Sequence, residues 1–584
     1  MNITQPAQPV LLSFEFASTV NGEVEPMTFR SPVKVFCAYT IEEVVPCLEM
    51  VEQAIEGGYY AAGFLTYESA PAFHSAYQVH KSSKMPLAWF GIFEEPERQT
   101  LSSSGAYELS PWEPLTSTEE YNDAIESIKQ SIATGHTYQT NYTIRLRSQF
   151  QGDDMAFFEK LKKGQASKYC AYVNTGEHSI LSASPELFFQ WEGSKVTTRP
   201  MKGTVKRGNS FNEDKANAEW LYHSEKNRAE NIMIVDLLRN DLGSIAKSGT
   251  VTVPQLFDIE RYPTVHQMTS TVTAEVEETV TLVDMFKALF PCGSITGAPK
   301  ISTMGIIADL ETAPREVYCG AIGYITPDRK ATFNVPIRTV IIDQSTGEAE
   351  YGVGGGITWD STSEGEYEEV LAKASLLGVE RPDFQLLESL RLENGKYFLL
   401  GEHLHRLKNT AAYFGFRFDQ ERVNQALQNF TNQRKDGTWK VRCLLAKAGE
   451  VIVEGAPIAP FEEPVQVILA DEPLRKNNPF LYHKTTNREV YSQFQSRSAE
   501  HFDVLLWNEE GELTEFTNGN LVLEIDGELW TPPVSSGLLA GTFREVLIRE
   551  GKVQEKVLTA ADLKRSEKAW FINSVRKWIQ VQFT

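Results

Sequence analysis

The sequence predicts an α+β protein built from two consecutive parts, and three observations carry this reading. Segments with apolar residues at helical spacing are interleaved with short β-branched runs along the whole chain, the mixture expected of sheets covered by helices. The pattern stops and restarts at Arg381-Pro382-Asp383, where proline breaks the preceding element. The 584 residues exceed the roughly 100–200 that one core organises. The chain therefore divides into a first domain, 1–380, and a second, 381–584.

The elements of the first domain follow in order. Residues 119–134 alternate acidic and apolar positions as an amphipathic helix that Gly135 ends, and 138–150 read as a strand. One helix is predicted across roughly 214–240 and another after the glycine-rich segment 291–300. Strand signals occupy 251–256, 265–276 and 332–342. A last helix spans 366–378, with Val370 and Leu371 at helical positions and Gly378 as its stop. In the second domain, 403–416 reads as a helix, and 465–470, 503–508, 521–526 and 528–533 as short strands between acidic-glycine turns. The string LLES at 386–389 reads as the first strand or helix of this domain.

Composition excludes several functions. With 78 acidic against 56 basic residues the formal charge is −22, which repels nucleic acid and anionic lipid. No run approaches the ~18 apolar residues of a membrane span. No Lys or Arg precedes Arg30, so the start lacks the layout of a secretory signal. Cys37, Cys47, Cys170, Cys292, Cys319 and Cys443 are scattered without ligand spacing, as reduced, mostly buried thiols of a cytoplasmic protein are.

Three carboxylates stand out. Glu366 and Glu369 share a helix face at i, i+3, and Glu230 lies just before an apolar helical run. Glu pairs at this spacing are ordinarily solvated surface. A set of three nevertheless suits Mg²⁺, which takes a few carboxylates plus water and substrate oxygens. The segment PCGSITGAPK (291–300) offers backbone N–H groups and the Ser294 and Thr296 hydroxyls ahead of a helix, a cradle for an anion. It is not a P-loop, and YGVGGGI (351–357) fails the dinucleotide fingerprint because Ile357 replaces the third glycine.

SPELFF (184–189), PMKGTVKRG (200–208), AENIMIVDLLRNDLG (229–243), CGSITGAPK (292–300), YCGAIGYI (318–325), FNVPIRT (333–339), GGGI (354–357) and EYEEVLAKA (366–374) together resemble the chorismate-utilising enzymes. The resemblance covers about 115–380 and leaves 1–114 as the family's variable first segment. It implies a β-sandwich core flanked by helices. It also implies Mg²⁺ held by Glu230, Glu366 and Glu369, with Glu186 as the acid that protonates the departing C4 hydroxyl of chorismate. The Ser294–Thr296 loop, Gly354, Gly355, Gly356, Tyr318 and Arg338 would orient the substrate carboxylates, with His266 near the ring. Gln139 of YQTN, with Gly203, Thr204 and Lys373 of the same motifs, would complete the substrate contacts. Members that add water carry a lysine where this chain has Gln139. Lys202 stands where aminodeoxychorismate synthases carry a lysine, which attacks the ring at C2 as the C4 hydroxyl leaves; ammonia then enters at C4. An unprotonated lysine is required, and desolvation or the neighbouring Arg199, Lys206 and Arg207 would lower its pKa. Otherwise Lys202 is one more charge in a basic loop.

FQLLESLRLENG (384–395), HLHRL (403–407), HKTTNR (483–488), GELTEFTNGNLVL (511–523), TPPVSSGLLAGTFR (531–544) and NSVRKW (573–578) resemble the fold-type IV pyridoxal-phosphate enzymes. That resemblance implies pyridoxal 5′-phosphate, Lys484 as its Schiff-base lysine and Glu515 at the pyridine nitrogen. Arg406, Gly541 and Thr542 would bind its phosphate, and Asn520 and Arg576 would be further contacts. Domains of this type usually pair, which implies a homodimer. Joined, the two resemblances imply that chorismate is aminated to aminodeoxychorismate and then loses pyruvate to give 4-aminobenzoate. No cysteine sits in a GxCxGxQ-like turn, so a separate glutamine amidotransferase subunit would supply ammonia. Two alternatives stay open. The first domain could be an anthranilate synthase component I, and the second an aminotransferase or a non-catalytic scaffold.

Overall fold

The computed structural model describes residues 9–19, 22–81, 83–378, 381–434, 436–459, 462–495 and 501–584. Residues 1–8 of the amino-terminal reading and 379–380 beside the predicted junction lie outside them. The chain forms two compact units. One holds the residues up to Lys206 together with Ala218–Arg381, and the other joins Arg207–Asn217 to Pro382–Thr584.

The first unit is built on two large antiparallel sheets. One runs from Gly297–Ala298 through Gln139–Gly152, Glu348–Ile357, Thr339–Asp343, His178–Ser184, Tyr169–Asn174 and Leu11–Ala17 to Val24–Arg30. The other runs from Met201–Lys206 through Val265–Glu275, Lys195–Arg199, Leu187–Glu192, Ala331–Asn334, Ala321–Ile325, Tyr60–Leu65 and Ala88–Phe93 to Lys34–Ala38. The two-residue period of a strand sorts the side chains. Ala62 and Phe64 meet Leu12, Phe14 and Val173 of the opposite sheet in a shared core, whereas Ala61 and Leu65 face a helical layer. Ile41–Glu56, Glu225–Gly243 and Leu282–Leu289 cover that outer face. Thr118–Ala133, Asp154–Gln165 and Ser363–Ala374 cover the outer face of the first sheet. The result is a β-sandwich with helices on both sides.

Local chemistry explains the helices. In Thr118–Ala133, Tyr121, Ala124, Ile125 and Ile128 are buried at i, i+3, i+4 and i+7. At its start Glu120 N donates to Ser117 Oγ at 3.2 Å and Ser117 N to Glu120 Oε2 at 2.8 Å, a capping box worth roughly 1 kcal/mol.

Two predicted elements are each divided in two. The helix expected across 214–240 becomes Phe211–His223 and Glu225–Gly243, because Ser224 leaves helical geometry to cap the second piece at Asn227 N. The strand expected at 332–342 becomes Ala331–Asn334 in one sheet and Thr339–Asp343 in the other. Between them the chain crosses the sandwich, with Arg338 at φ 53°.

The second unit has two sheets. Lys396–Tyr397, Leu386–Glu393, Thr438–Leu445 and Val451–Pro457 form one, packed on the helices Leu400–Phe414 and Gln420–Asn432; LLES is thus in a strand. In the other, Leu513–Phe516 pairs with both Asp503–Trp507 and Gly519–Ile525, closing a ring through Val465–Leu469, Lys577–Phe583 and Lys568–Asn573. Val467, Leu505, Phe516, Leu521, Phe571 and Ile579 belong to its core.

A single junction at 381 does not anticipate Arg207–Asn217 in this unit. Its guanidinium stacks Arg207 on Tyr413, 4.3 Å from the ring centre, and donates to the Tyr413 carbonyl at 2.9 Å. The Tyr413 hydroxyl donates to Gly208 O at 2.8 Å, and Asp214 pairs with Arg207. All six cysteines are free and buried. Among the described residues no helix is long and apolar enough to cross a membrane.

Candidate active sites

In the first unit a cavity of about 410 Å³ opens between the glycine-rich strand Glu348–Ile357, the strand Met201–Lys206 and the helices Glu225–Gly243 and Ser363–Ala374. Glu186, Lys202, Gly203, Thr204, Glu230, Ser294, Tyr318, Arg338, Gly354, Gly355, Gly356, Glu366, Glu369 and Lys373 all line it. Three of the predicted contacts do not. Thr296 closes its own turn, donating to Cys292 O at 3.2 Å and Gly293 O at 3.3 Å. His266 is buried in sheet register opposite Val205 and Arg261. Gln139 lies behind Gly356, with its Oε1 buried and without a hydrogen-bond partner.

The glycines are required by close approach. A Cβ on Gly356 would collide with Gln139 Nε2 and lie 2.9 Å from Lys202 Nζ. One on Gly355 would lie 3.2 Å from Glu366 Oε2, 3.8 Å from Lys373 Nζ and 3.9 Å from Glu369 Oε1. The strand thus brings the lysine and the carboxylates to one cavity.

Burial sets the charges there. It lowers the Lys202 ammonium pKa below the usual lysine range, and no ion pair to Lys202 occurs among the described residues. It pushes the Glu186 carboxyl up to about 7, and Glu186 Oε1 has no hydrogen-bond partner. A group that is acidic near neutrality beside a weakened ammonium has the chemistry to serve as an acid and a nucleophile. Burial likewise lowers the Arg338 guanidinium pKa; it lies over the Tyr262 ring, 5.6 Å away, and among the described residues no carboxylate pairs with it.

Glu230 and Glu366 are raised by burial, whereas Lys373 holds Glu369 down from 2.7 Å. Lys373 also donates to Gly354 O at 2.8 Å. Among the described residues no three His, Cys, Asp or Glu side chains are drawn close enough to clasp a metal by themselves. The oxygen-only donor set and the strain of desolvated carboxylates fit Mg²⁺ with water completing its shell.

In the second unit a cavity of about 290 Å³ is lined by Lys484, Glu515, Arg406, Asn520, Gly541, Thr542 and Arg576. Burial pushes Lys484 down to about 8 and Glu515 up to about 8. Tyr491 Oη donates to Glu515 Oε1 at 2.8 Å and Asn520 Nδ2 to Oε2 at 3.2 Å. A Cβ on Gly541 would collide with Asn520 Oδ1. Arg406 turns its fork to Glu388, and Arg576 donates to Ala459 O at 2.9 Å. A buried lysine with no ion pair among the described residues, a carboxyl across the cavity and a helix N-terminus at Gly541–Thr542 fit pyridoxal phosphate.

The profile of the chorismate binding enzymes matches residues 30–378. The chain belongs to that family. The profile of the class IV amino-transferases matches 385–582, so the chain is a fusion of the two. Aminodeoxychorismate synthase component 1 of Salmonella typhimurium is 40% identical over 266 residues, 46% of this chain and 58% of that protein. Anthranilate synthase component 1 of Aquifex aeolicus is 36% identical over 266 residues, 46% of this chain and 53% of that protein. The chain thus covers less than two thirds of these relatives' lengths. Anthranilate synthase component I from Streptococcus pneumoniae shares the fold at TM-score 0.50 and 24% identity, covering 65% of this chain and 94% of that one.

Several residues in or beside the first unit's cavity escape sequence reasoning. Ser361 donates to Glu366 Oε1 at 2.6 Å. The fully buried Arg315 donates to Ile295 O at 2.8 Å and Asn141 O at 2.7 Å, tying the glycine-rich loop to the long strand. Lys226 lines the cavity one helical turn before Glu230, a spacing that could have revealed it. In the second unit Tyr491 has no comparable signal, whereas Glu388 and His403 stand inside the FQLLESLRLENG and HLHRL motifs, which by themselves assign them no role.

Proposed function

We propose that the first unit aminates chorismate with ammonia to 4-amino-4-deoxychorismate and that the second expels pyruvate from it, giving 4-aminobenzoate, a folate precursor. The observation that carries this reading is the desolvated amine of Lys202 in one cavity with the acid Glu186. The amine attacks C2 of the ring, both ring double bonds shift toward C4, and the C4 hydroxyl leaves as water with the proton of Glu186. Ammonia then attacks C4 and the lysine leaves C2. Arg338 pairs with a substrate carboxylate. Glu230, Glu366 and Glu369 would hold Mg²⁺, which draws electron density toward the ring carboxylate when bound.

In the second unit Lys484 and the helix start at Gly541–Thr542 would hold pyridoxal phosphate, with Glu515 facing its pyridine nitrogen. The cofactor supplies an electron sink when bound. Lys484 then takes the proton from the carbon bearing the amine, and loss of pyruvate makes the ring aromatic. Ammonia would come from a separate glutaminase, because burial pushes the Cys37, Cys47, Cys170, Cys292 and Cys443 thiols up to about 12 and Cys319 to about 11, which leaves little thiolate for glutamine hydrolysis.

The test is to incubate the chain with chorismate, Mg²⁺, ammonium and pyridoxal phosphate and to identify the products by mass spectrometry. 4-Aminobenzoate is expected. Anthranilate would overturn the assignment of the first unit, and accumulated aminodeoxychorismate that of the second.

A further inference from the structure

One wall of the second unit's cavity rests on a line of buried side chains. Glu388 accepts from Arg406 through both oxygens, Nε to Oε1 at 2.9 Å and Nη2 to Oε2 at 2.7 Å. His403 Nδ1 lies 2.6 Å from Glu388 Oε2, and on the far side of the ring Nε2 lies 3.3 Å from Thr542 Oγ1. Glu388, His403 and Thr542 are 3%, 1% and 4% exposed, so bulk water does not substitute for these partners. Thr542 begins the helix Thr542–Arg549, and with Gly541 it faces the cavity.

Counting hydrogens settles the direction of each bond. Burial alone would raise the Glu388 carboxyl, but Arg406 and His403 hold it at about 2; as a carboxylate it only accepts. The hydrogen between it and the ring is therefore on His403 Nδ1. Burial moves the imidazole below its usual range, so Nε2 carries a lone pair and the Thr542 hydroxyl donates to it. The cavity then meets only lone pairs of Oγ1, a poor reception for an anion at this helix N-terminus. A proton added at Nε2 reverses the bond. The ring donates to Oγ1, and the hydroxyl hydrogen is released to donate into the cavity.

We infer that an anion entering at Gly541–Thr542 binds together with one proton, which His403 takes up so that Thr542 changes from acceptor to donor. This rests on the reading of the cavity as the site of a phosphate-bearing cofactor. His403 acts through Thr542 and is a positioning residue. The charges around it are Glu388 on the neighbouring strand, Arg406 and Glu402 on its own helix, and Lys484; Glu402 is paired with Arg549 at 3.0 Å. Arg406 and Lys484 oppose an imidazolium, and a phosphate dianion offsets both.

The probe is pyridoxine 5′-phosphate, which has the phosphate but no aldehyde, so Lys484 forms no bond to it. Calorimetry on the full chain at pH 8, in buffers of different ionisation enthalpy, counts protons taken up on binding. The wild-type protein should take up about one proton more than His403→Asn, and its affinity should fall about tenfold more per pH unit than that of the variant. Thr542→Val should lose the same proton and Thr542→Ser retain it, which decides the matter if His403→Asn does not fold. Equal uptake by wild type and Thr542→Val overturns the inference alone. Failure of the wild-type protein to bind the probe overturns both it and the reading of the cavity.

Discussion

Glu186 and Lys202 are each shifted by the same burial in opposite senses, toward an acid that keeps its proton up to near-neutral pH and an amine that is more easily free there. The raised pKa of Glu186 means that its proton is present below about 7 and is lost as pH rises through that value. The amination rate, measured as product formed from chorismate and ammonia, is therefore expected to decline on the alkaline side of pH 7 at saturating ammonia. Lys202→Ala should abolish 4-aminated product, because it removes the nucleophile that opens the path to C4; full activity in that variant would remove Lys202 from the mechanism. Lys484→Ala should leave this first step intact and accumulate aminodeoxychorismate, read by chromatography. The motif positions were legible because their residue types state their chemistry. Ser361, Arg315 and Tyr491 were not, since a serine, an arginine or a tyrosine acquires its role only from the neighbour that folding brings to it.

Among the elements, the strand Glu348–Ile357 gives the sharpest contrast. A Cβ at Gly354 would collide with the Tyr142 carbonyl and lie 2.6 Å from Thr143 Cα, and backbone in a sheet does not yield. At Gly356 it would instead meet the ends of two side chains, Gln139 and Lys202. Gly354→Ala is expected to lower the melting temperature, by several degrees for a loss of ~1–2 kcal/mol. Gly356→Ala should keep that temperature and lose turnover; the reverse pattern in a melting scan and an assay would refute this geometry. The capped helix Thr118–Ala133 was readable because its cap and its apolar period agree. The strand expected at 332–342 was not read correctly, since the apolar and β-branched residues on both sides of Pro336 outweighed the break that a proline signals in a strand. At 214–240 the helical pattern likewise masked the break at Ser224.

At the scale of the whole molecule, the order of motifs announced two domains, but no local pattern announced that Arg207–Asn217 belongs with the second unit. That membership depends on Arg207 finding Tyr413, a pairing 206 residues apart. The Tyr413 ring in turn stacks on His483 at 4.0 Å, next to Lys484. Residues 382–584 expressed alone should therefore melt at a lower temperature than the same unit in the full chain, as differential scanning calorimetry would show. Asp214→Ala in the full chain should move in the same direction by a smaller amount.

A fusion is commonly pictured as two cassettes that could be traded at their seam. Here the clasp formed by Arg207, Gly208 and Asp214 on Tyr413 makes a stretch from the first half of the sequence part of the second unit. Recombination at Arg381 would hand the carboxy-terminal half to a new partner without its clasp, so the two halves must be inherited, and must diverge, as one.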